Sequence, residues 1–380
     1  MIDQAAAAAA ASAAADAWLD HLPLADRLAA QVHTDTRLAV WFGAGAALMA
    51  AAALIARLGV LMRVRSMIEA SGPRPWLASA ACAALIAFLL AAVTALYDVL
   101  VAAPLDGFGL SAGAAIAGIA PTVTAAVILV PALQWLFRVR PRAGPVLAGT
   151  VAVGVCLAAG WGPYAFNSNG ALPPAPASAV TDGLQRLVSE SGIPANGVRL
   201  SPDPNFDADV TGGFGHANVV IGRQVLAWDP GEARAYVGHV MGHYVHGDDF
   251  ALFLIDGLVA FAALVAIQLA AAPLARLLSA GATRSASDPE ALPAAAILVV
   301  LAFAGATLVG NGYLRWANVR ADDFSLAHAG DPPALAAVLE RRWDREAVDP
   351  DPVARWVFYS HPPLRPRLTH VLSWDLTHGR

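Results

Sequence analysis

The chain has 380 residues, of which 57% are hydrophobic and 14% charged, and its formal net charge is -5. Several apolar runs reach or exceed the roughly 18 residues that predict a membrane-spanning helix, so a soluble protein is excluded. The small negative charge, without any stretch that interleaves basic and aromatic residues, argues against nucleic acid as a partner. Cys82 and Cys156 both lie in apolar runs, so a disulfide framework is not expected.

The first half of the chain is predicted to form a membrane region. An alanine-rich start passes into mixed polar and apolar residues, and we expect residues 1–37 to lie at the membrane surface. The next segment, residues 38–162, is predicted to hold four spans, at about 38–62, 76–97, 110–137 and 145–161. Pro121 and Pro131 predict kinks in the third span.

The second half alternates polar and apolar segments. Residues 163–249 are polar, residues 250–314 form a two-span region, and residues 315–380 are predicted to be soluble and mostly helical. The two later spans are predicted at about 250–274 and 294–312. In the first polar segment the pattern predicts an amphipathic helix and two short strands, at 177–191, 197–200 and 218–222. Gly212 and Gly213 predict a turn or bulge between the strands.

Arginine placement predicts the orientation. Arginines follow the first, third and fifth spans and none follows the second, which assigns those three loops to the cytoplasm. The polar segment 163–249 and the C-terminal segment 315–380 then face outward. We expect an integral protein of a bacterial inner (plasma) membrane.

The stretch DPGEARAYVGHVMGHYVHGDD contains the strongest chemical pattern. His239 and His243 are four residues apart on a predicted helix, so both imidazoles project from one face. This is the ligand spacing of the H-E-x-x-H zinc helix, in which the Glu after the first His is the general base. That position holds Val240 here. The sequence therefore keeps two metal-binding nitrogens and lacks the carboxylate that activates a water.

The ends of this helix have simpler predicted roles. Asp229 is expected to cap the first turn, and Glu232 to complete a capping box with it. Asp248 and Asp249 are expected to face solvent at the membrane boundary.

This helix and three other blocks resemble the membrane-embedded type I CAAX prenyl proteases, zinc metallopeptidases of the gluzincin group. VGHVMGHYVHGD is similar to that family's active-site helix, and NGYLRWANVRADDFSLAHAGDP to the helix whose E-x-x-A-D motif supplies the third ligand. WVFYSHPPLRPRL resembles the C-terminal S-H-P-P signature, and DADVTGGFGHANVVIG the edge strand over which substrate peptides lie. The resemblance implies a polytopic α-helical membrane protein with a split α+β gluzincin-like peptidase domain. It also implies zinc as the cofactor, and as partners membrane lipids and a hydrophobic or prenylated peptide or membrane-protein segment.

The resemblance assigns the metal-site roles to positions that are partly altered. His239 and His243 match the two imidazole ligands, and Val240 occupies the general-base position. Asn318 stands where the third ligand, a Glu, is expected, and Asp322 matches the carboxylate that orients a ligand histidine.

Further assigned positions lie outside the metal site. Arg315 matches the basic residue before the third-ligand position, and His361 matches the signature histidine that stabilises the transition state. In the substrate groove, Asp207 stands where the family usually has Asn, and Ala208 follows it.

The two altered carboxylate positions predict a loss of activity. Valine has no lone pair, and a positioned general base contributes about 10²–10⁴ in rate. Asn318 is neutral, so two imidazoles and an amide oxygen would leave a zinc ion without an anionic ligand. We therefore predict a catalytically inactive homologue with low zinc occupancy that binds peptides or membrane-protein segments.

Two alternatives remain open from the sequence. The first is an active membrane zinc metalloendopeptidase with an unorthodox metal shell, in which His246 serves as the third ligand. The second is a protein that handles a lipid or small molecule in an intramembrane chamber. Asp256 lies within the fifth span, where a carboxylate is costly, and is expected to face a chamber or a partner.

Overall fold

The computed structural model describes residues 4–106, 111–166, 172–212, 217–279, 283–343, 346–374 and 378. Two compact units are formed. The first unit comprises residues 1–34, 156–254 and 308–380, and the second comprises residues 35–155 and 255–307.

The second unit is built from long apolar helices. The helices of this unit are α2 (Leu24–Arg57), α3 (Val60–Glu69), α4 (Pro75–Tyr97), α5 (Ala103–Asp106), α6 (Ala112–Val139), α7 (Gly144–Cys156), α11 (Asp248–Leu278) and α12 (Leu292–Ala329). Four of them, α2, α7, α11 and α12, extend into the first unit. Helices α4 and α6 pack side by side in this unit. Pro121 and Pro131 both lie inside α6, as predicted.

Six helical stretches are long and apolar enough to cross a membrane, which confirms the predicted number. They are Leu24–Arg57, Pro75–Leu105, Gly113–Val139, Gly144–Trp161, Asp248–Leu278 and Pro289–Ala329. The chain is therefore an integral membrane protein. The predicted bounds were too short at two places, because the first helix starts at Leu24 rather than residue 38 and the last continues to Ala329. Apolar runs locate the hydrophobic part of a helix, whereas polar helix-forming residues extend it beyond that part.

The first unit combines helices with a small sheet. Its remaining elements are α1 (Gln4–Leu19), α8 (Gly162–Phe166), α9 (Ala179–Glu190), β1 (Ala195–Leu200), β2 (Ala208–Thr211), β3 (Ala217–Ile221), α10 (Pro230–His246), α13 (Pro332–Arg341), α14 (Pro352–Phe358) and α15 (Leu364–Leu372). The amphipathic helix and both strands predicted in the first polar segment are present. Gly212 has a φ of 107°, which suits the predicted turn, while Gly213 lies outside the described residues.

The sheet places β2 at an edge. Strand order is β1-β3-β2, with β1 parallel and β2 antiparallel to β3. Helices α9 and α10 cover the sheet, and the core between them includes Leu184, Val219, Ile221 and Met241, all fully buried. The edge position of β2 agrees with the strand that the family resemblance implied.

The alanine-rich N-terminal helix belongs to the first unit. Ala15 and Leu19 of α1 pack against Leu368 and Val371 of α15, and all four side chains are buried. The expected position of residues 1–37 at the membrane surface stays a prediction. In the structure α1 buries apolar surface against the C-terminal helix, a partner that a sequence pattern does not reveal.

Helices α10 and α12 approach each other closely and run antiparallel. A Cβ atom added at Gly242 would lie 2.7 Å from the Cα of Ala321, so only glycine permits this approach. One turn away, the hydroxyl of Ser325 donates to the Ala235 carbonyl at 2.7 Å. This contact brings the later helix alongside the histidine helix.

Candidate functional site

Helix α10 begins and ends at well-defined residues. The Asp229 carboxylate accepts from the Gly231 amide at 2.8 Å, as expected of a cap. The prediction of a capping box was wrong, because the Glu232 carboxylate pairs with the Arg341 guanidinium at 2.5 Å instead. Gly247 ends the helix with a φ of 66°, a left-handed conformation that suits glycine.

His239 lies in a buried network with a carboxylate and a guanidinium. Its Nδ1 is 2.8 Å from Oδ1 of Asp322, which also accepts from Arg367 Nη2 at 2.8 Å, while Arg367 Nε donates to Oδ2 at 2.7 Å. Burial lowers the pKa of His239 to about 4, in spite of the Asp322 charge that acts in the opposite direction. The imidazole is therefore neutral at pH 7. With its Nδ1 proton donated to Asp322, its Nε2 is an acceptor.

His243 has a carboxylate partner of its own. Its Nδ1 is 2.8 Å from Oδ2 of Asp248, and Oδ1 of Asp248 accepts from the Tyr313 hydroxyl at 2.8 Å and from Arg320. Asp248 is only 2% exposed, so its expected solvent-facing position was wrong. The left-handed turn at Gly247 breaks the helix, so Asp248 returns towards the histidine five residues before it.

The two imidazoles and Val240 border one cleft. The ring centroids of His239 and His243 are 4.8 Å apart, with the ring planes nearly perpendicular. A cavity of about 260 Å³ adjoins them, and His361 and Arg367 also line it. Val240 lines the same cavity and packs against the core that covers the sheet. The general-base position is thus inside the cleft and holds a hydrocarbon side chain.

His361 follows α14 and lines the cleft from a third direction. Its Nδ1 lies 3.1 Å from the Ser360 hydroxyl. Its side chain is exposed at the mouth of the cleft, and the neighbouring protein atoms that displace part of its water, together with the positive charge of Arg367, lower the pKa of His361.

Asn318 and Arg315 hold the segment that leads to His361. The Asn318 amide nitrogen donates to the carbonyls of Leu314 at 2.8 Å and Ser360 at 3.2 Å. Arg315 donates to the carbonyls of Arg355 at 2.9 Å and Tyr359 at 2.6 Å. Both side chains of α12 therefore bind the backbone at and just before the S-H-P-P signature.

The donor set fits a zinc ion poorly. Two imidazoles offer Nε2 atoms, but the third-ligand position holds a neutral amide whose nitrogen donates to two backbone carbonyls. The Asn318 amide oxygen is buried and has no hydrogen-bond partner among the described residues, so it could contact a cation, but it carries no charge to compensate one. Within the described ranges no group of three or more His, Cys, Asp or Glu side chains is arranged to hold a metal ion.

His246 does not join this cleft. Its Nδ1 lies 2.7 Å from the Gly242 carbonyl, and its ring faces Phe324 edge-on at 6.5 Å between centroids. The unorthodox shell considered from the sequence therefore gains no support from the position of His246.

The start of the edge strand is connected to the cleft by an ion pair. Asp207, immediately before Ala208 and β2, pairs with Arg342 and accepts from Gln224. The Arg342 guanidinium stacks on the Tyr236 ring at 4.7 Å, and both of these side chains line the cleft. The two predicted groove positions thus lie at the start of the edge strand, and Asp207 contacts a residue that lines the cleft.

Sequence reasoning missed three residues of the site. Arg367 lies in the block WVFYSHPPLRPRL, which was recognised without a role being given to its last arginine. Asp248 and Tyr313 were missed because their contacts depend on the turn at Gly247 and on the packing of α12. No sequence spacing encodes that packing.

A protein-family match covers all the residues that line the cleft. Residues 174–375 match the model of Peptidase family M48. No curated protein matches the sequence. Among solved structures, the chain is similar to that of S. mikatae Ste24p, with a TM-score of 0.48 and 16% identity over 76% of this chain and 75% of that chain.

Proposed function

The chain belongs to Peptidase family M48, and from this membership we propose that its cleft binds a hydrophobic or prenylated peptide, or a membrane-protein segment, without cleaving it. The family is generally zinc-dependent. The family match and the six apolar helices establish that the chain is a membrane-embedded homologue of metallopeptidases. The finer proposal of a catalytically inactive homologue depends on the residues of the cleft.

The position of Val240 carries the proposal. Its side chain follows His239 directly and lines the cavity that His239, His243 and His361 share. A hydrocarbon there neither takes a proton from a water nor returns one to a leaving amine. Asn318 adds to this loss, since its amide is used to position the Ser360 backbone.

The surroundings of the cleft suit an extended apolar peptide. Among the described residues strand β2 pairs with β3 and forms an edge of the sheet, the position at which a further strand can be added. Apolar side chains line the adjoining cavity, namely Leu335, Val338, Leu339, Pro362 and Leu364. Backbone pairing along β2 with apolar side chains in this cavity would recognise such a peptide.

Binding and cleavage are separable in one experiment. The full chain in detergent is titrated against a fluorescent hydrophobic peptide, with and without a farnesyl group, and the peptide is then analysed by mass spectrometry. We expect saturable binding and an intact peptide. Val240→Arg should abolish binding by filling the cleft, whereas Val245→Arg, at an exposed position of the same helix, should leave binding unchanged. Cleavage by the unmodified chain that His239→Ala abolishes contradicts the proposal.

An active enzyme with an unorthodox shell is the main alternative. The residues that line the cleft include one carboxylate, Glu346, which is the candidate for a displaced base. If the unmodified chain cleaves the peptide, Glu346→Gln should abolish cleavage when this carboxylate is the base and should leave it unchanged when it is not.

A lipid or small-molecule function is favoured by a different observation. The second unit encloses a cavity of about 610 Å³ whose lining is almost wholly apolar, apart from side chains such as Gln134 and Asp98. Asp256 does not line this cavity and its side chain is exposed, so of the two predicted surroundings, a chamber or a partner, the partner stays a prediction. Copurification of a stoichiometric apolar ligand, lost on Ala87→Trp within the cavity, would support this function.

A further inference from the structure

The second unit contains another cavity, and arginines line it. It encloses about 790 Å³ and lies at the end of α2, beside α3 and before α12. Four arginines line it, namely Arg57, Arg63, Arg65 and Arg284, and we call it the arginine cavity. No residue of the peptidase-like site takes part in it.

Local structure explains how the arginines are gathered. Helix α2 ends at Arg57, and Gly59 turns the chain with a φ of 60°, so that α3 starts at once and brings Arg63 and Arg65 to the cavity. On the other side, the Asp288 carboxylate accepts from the backbone amides of Arg284 and Ser285, each at 2.9 Å. This carboxylate fixes the loop before α12.

The charge of the arginine cavity is only partly compensated. Arg65 pairs with Glu69 at 3.1 Å and with Glu290 at 3.1 Å. The side chains of Arg57, Arg63 and Arg284 have no ion-pair partner in the part of the chain that the structure describes. Asp288 and Glu290 also line the cavity, so four guanidinium groups face two carboxylates, and three of the four arginines have no ion-pair partner among the described residues.

A buried hydroxyl group points to the same conclusion. Thr283 lines the arginine cavity and is 5% exposed, and its Oγ1 has no hydrogen-bond partner among the described residues. Buried polar atoms are nearly always hydrogen-bonded, so an unpartnered one indicates a missing ligand or water. Because a hydroxyl donates to phosphate oxygens as guanidinium groups do, one anion would satisfy all of these groups.

The setting distinguishes a lipid from a free ion. Large apolar side chains are exposed beside the arginines, with Leu58 and Met62 each 53% exposed and Leu277 83% exposed. Helix α2 ends here as a candidate membrane span, and the loops concerned are those that the arginine distribution assigns to the cytoplasmic face. Basic side chains next to exposed apolar ones match a phospholipid, whose phosphate lies just above its acyl chains.

We propose that the arginine cavity binds the phosphate headgroup of an anionic phospholipid of the adjacent leaflet. Arg57, Arg63 and Arg284 surround the phosphate, and the Thr283 hydroxyl donates to it. The acyl chains pass along Leu58 and Leu277. A guanidinium group can contact two phosphate oxygens at once, which favours arginine over a simple point charge at such a site.

The test uses the full chain in zwitterionic mixed micelles and native mass spectrometry. Phosphatidylglycerol and phosphatidylcholine of equal chain length are titrated separately. We expect one retained phosphatidylglycerol at concentrations where phosphatidylcholine is lost. Arg57→Gln, Arg63→Gln and Arg284→Gln should each weaken retention about fivefold, and the triple variant should abolish it.

The controls separate this site from general surface charge. Arg140→Gln with Arg142→Gln removes two exposed arginines from the loop after α6 and should leave retention unchanged. Arg63→Lys, which preserves charge, should retain the lipid better than Arg63→Gln if the protein is folded in both forms. The proposal is overturned if phosphatidylcholine is retained as well as phosphatidylglycerol, or if the control variant at Arg140 and Arg142 loses phosphatidylglycerol as readily as the triple variant. If inorganic phosphate binds as tightly as phosphatidylglycerol, the ligand is a free phosphate rather than a lipid.

Discussion

The Nδ1 of His243 lies 2.8 Å from a carboxylate oxygen of Asp248, a residue that is 2% exposed. His239 has the same relationship with Asp322, also at 2.8 Å. Metal-binding histidines usually donate their second ring nitrogen to a carboxylate in this way, which fixes the tautomer and the ring orientation. Both imidazoles therefore keep the support of a metal site although the general base and the third ligand are altered. This persistence makes the scaffold a suitable subject for repair.

Replacing Asp248 should destabilise the first unit. Asp248→Ala removes the acceptor for His243, Tyr313 and Arg320 at a buried position. We expect a loss of about 2–4 kcal/mol in the free energy of unfolding, since a partly buried cation and hydroxyl lose their buried partner. Thermal unfolding in detergent measures the change.

Asp249→Ala is the matched control for this change. Asp249 is adjacent and half-buried, and it has no hydrogen bond or ion pair among the described residues. Equal destabilisation by the two variants would show that the contacts of Asp248 are not what stabilises this region.

Asn318→Glu should make stability depend on zinc. The carboxylate would replace an amide nitrogen that donates to the Leu314 and Ser360 carbonyls, so two acceptors would face a buried negative charge. Without metal we expect a loss of about 3 kcal/mol. Zinc should restore part of it, because a ligand that binds only the folded state stabilises that state.

The measurement is the unfolding temperature in EDTA and in excess zinc. Asn318→Gln keeps a neutral amide and should show no such difference. The unmodified chain should bind well below one equivalent of zinc by elemental analysis. Stoichiometric zinc that His239→Ala removes would refute this expectation.

The pair His370 and Asp323 should give a measurable pH dependence. His370 Nε2 lies 2.7 Å from Asp323 Oδ1, and this hydrogen bond raises the pKa of His370 above its ordinary value of 6.5. Because the pKa is raised in the folded state, the stabilisation is complete below pH 6.5 and is lost as the pH rises through the folded pKa. The difference in unfolding temperature between the unmodified chain and Asp323→Asn should therefore shrink from pH 5.5 to pH 8.5. If the difference in unfolding temperature stays constant over this pH range, the protonated His370 and the Asp323 carboxylate do not stabilise the fold as an ion pair.

Hydropathy and spacing predicted the number of spans, the helix α10 and the placement of His239 and His243 one turn apart on it correctly, because these depend on local periodicity. They did not predict that α12 is one continuous helix from Leu292 to Ala329. An apolar run ends where the membrane ends, while the helix continues as long as its backbone hydrogen bonds are formed.

Long-range packing accounts for what the sequence did not reveal at the site. The burial of Asp248 depends on a single left-handed glycine, Gly247, and on two side chains of α12 more than 60 residues away. The donor role of the Asn318 amide depends on the position of the Ser360 carbonyl. A motif alignment identifies which residue is changed, but only the surrounding structure shows what the new residue does.

Restoring both carboxylates should restore activity in a non-additive way. Val240→Glu alone should do little, because the cleft would hold a base without the anionic third ligand. Asn318→Glu alone should raise zinc occupancy without peptidase activity, since Val240 lines the cleft and provides no base. The double variant should show at least weak hydrolysis of hydrophobic or prenylated peptides, more than the sum of the single changes, because the two groups act as a unit.

Cleavage is measured by mass spectrometry of the peptide, with zinc occupancy determined on the same samples. Asn318→Glu with Val245→Glu is the matched control, because Val245 is on the same helix but exposed and outside the cleft lining. It should bind zinc and remain inactive. A double variant that folds, binds zinc and binds the peptide yet cleaves nothing would show that the cleft itself has changed beyond its two carboxylates. Activity of the unmodified chain that His239→Ala abolishes would instead show that Val240 is compatible with catalysis.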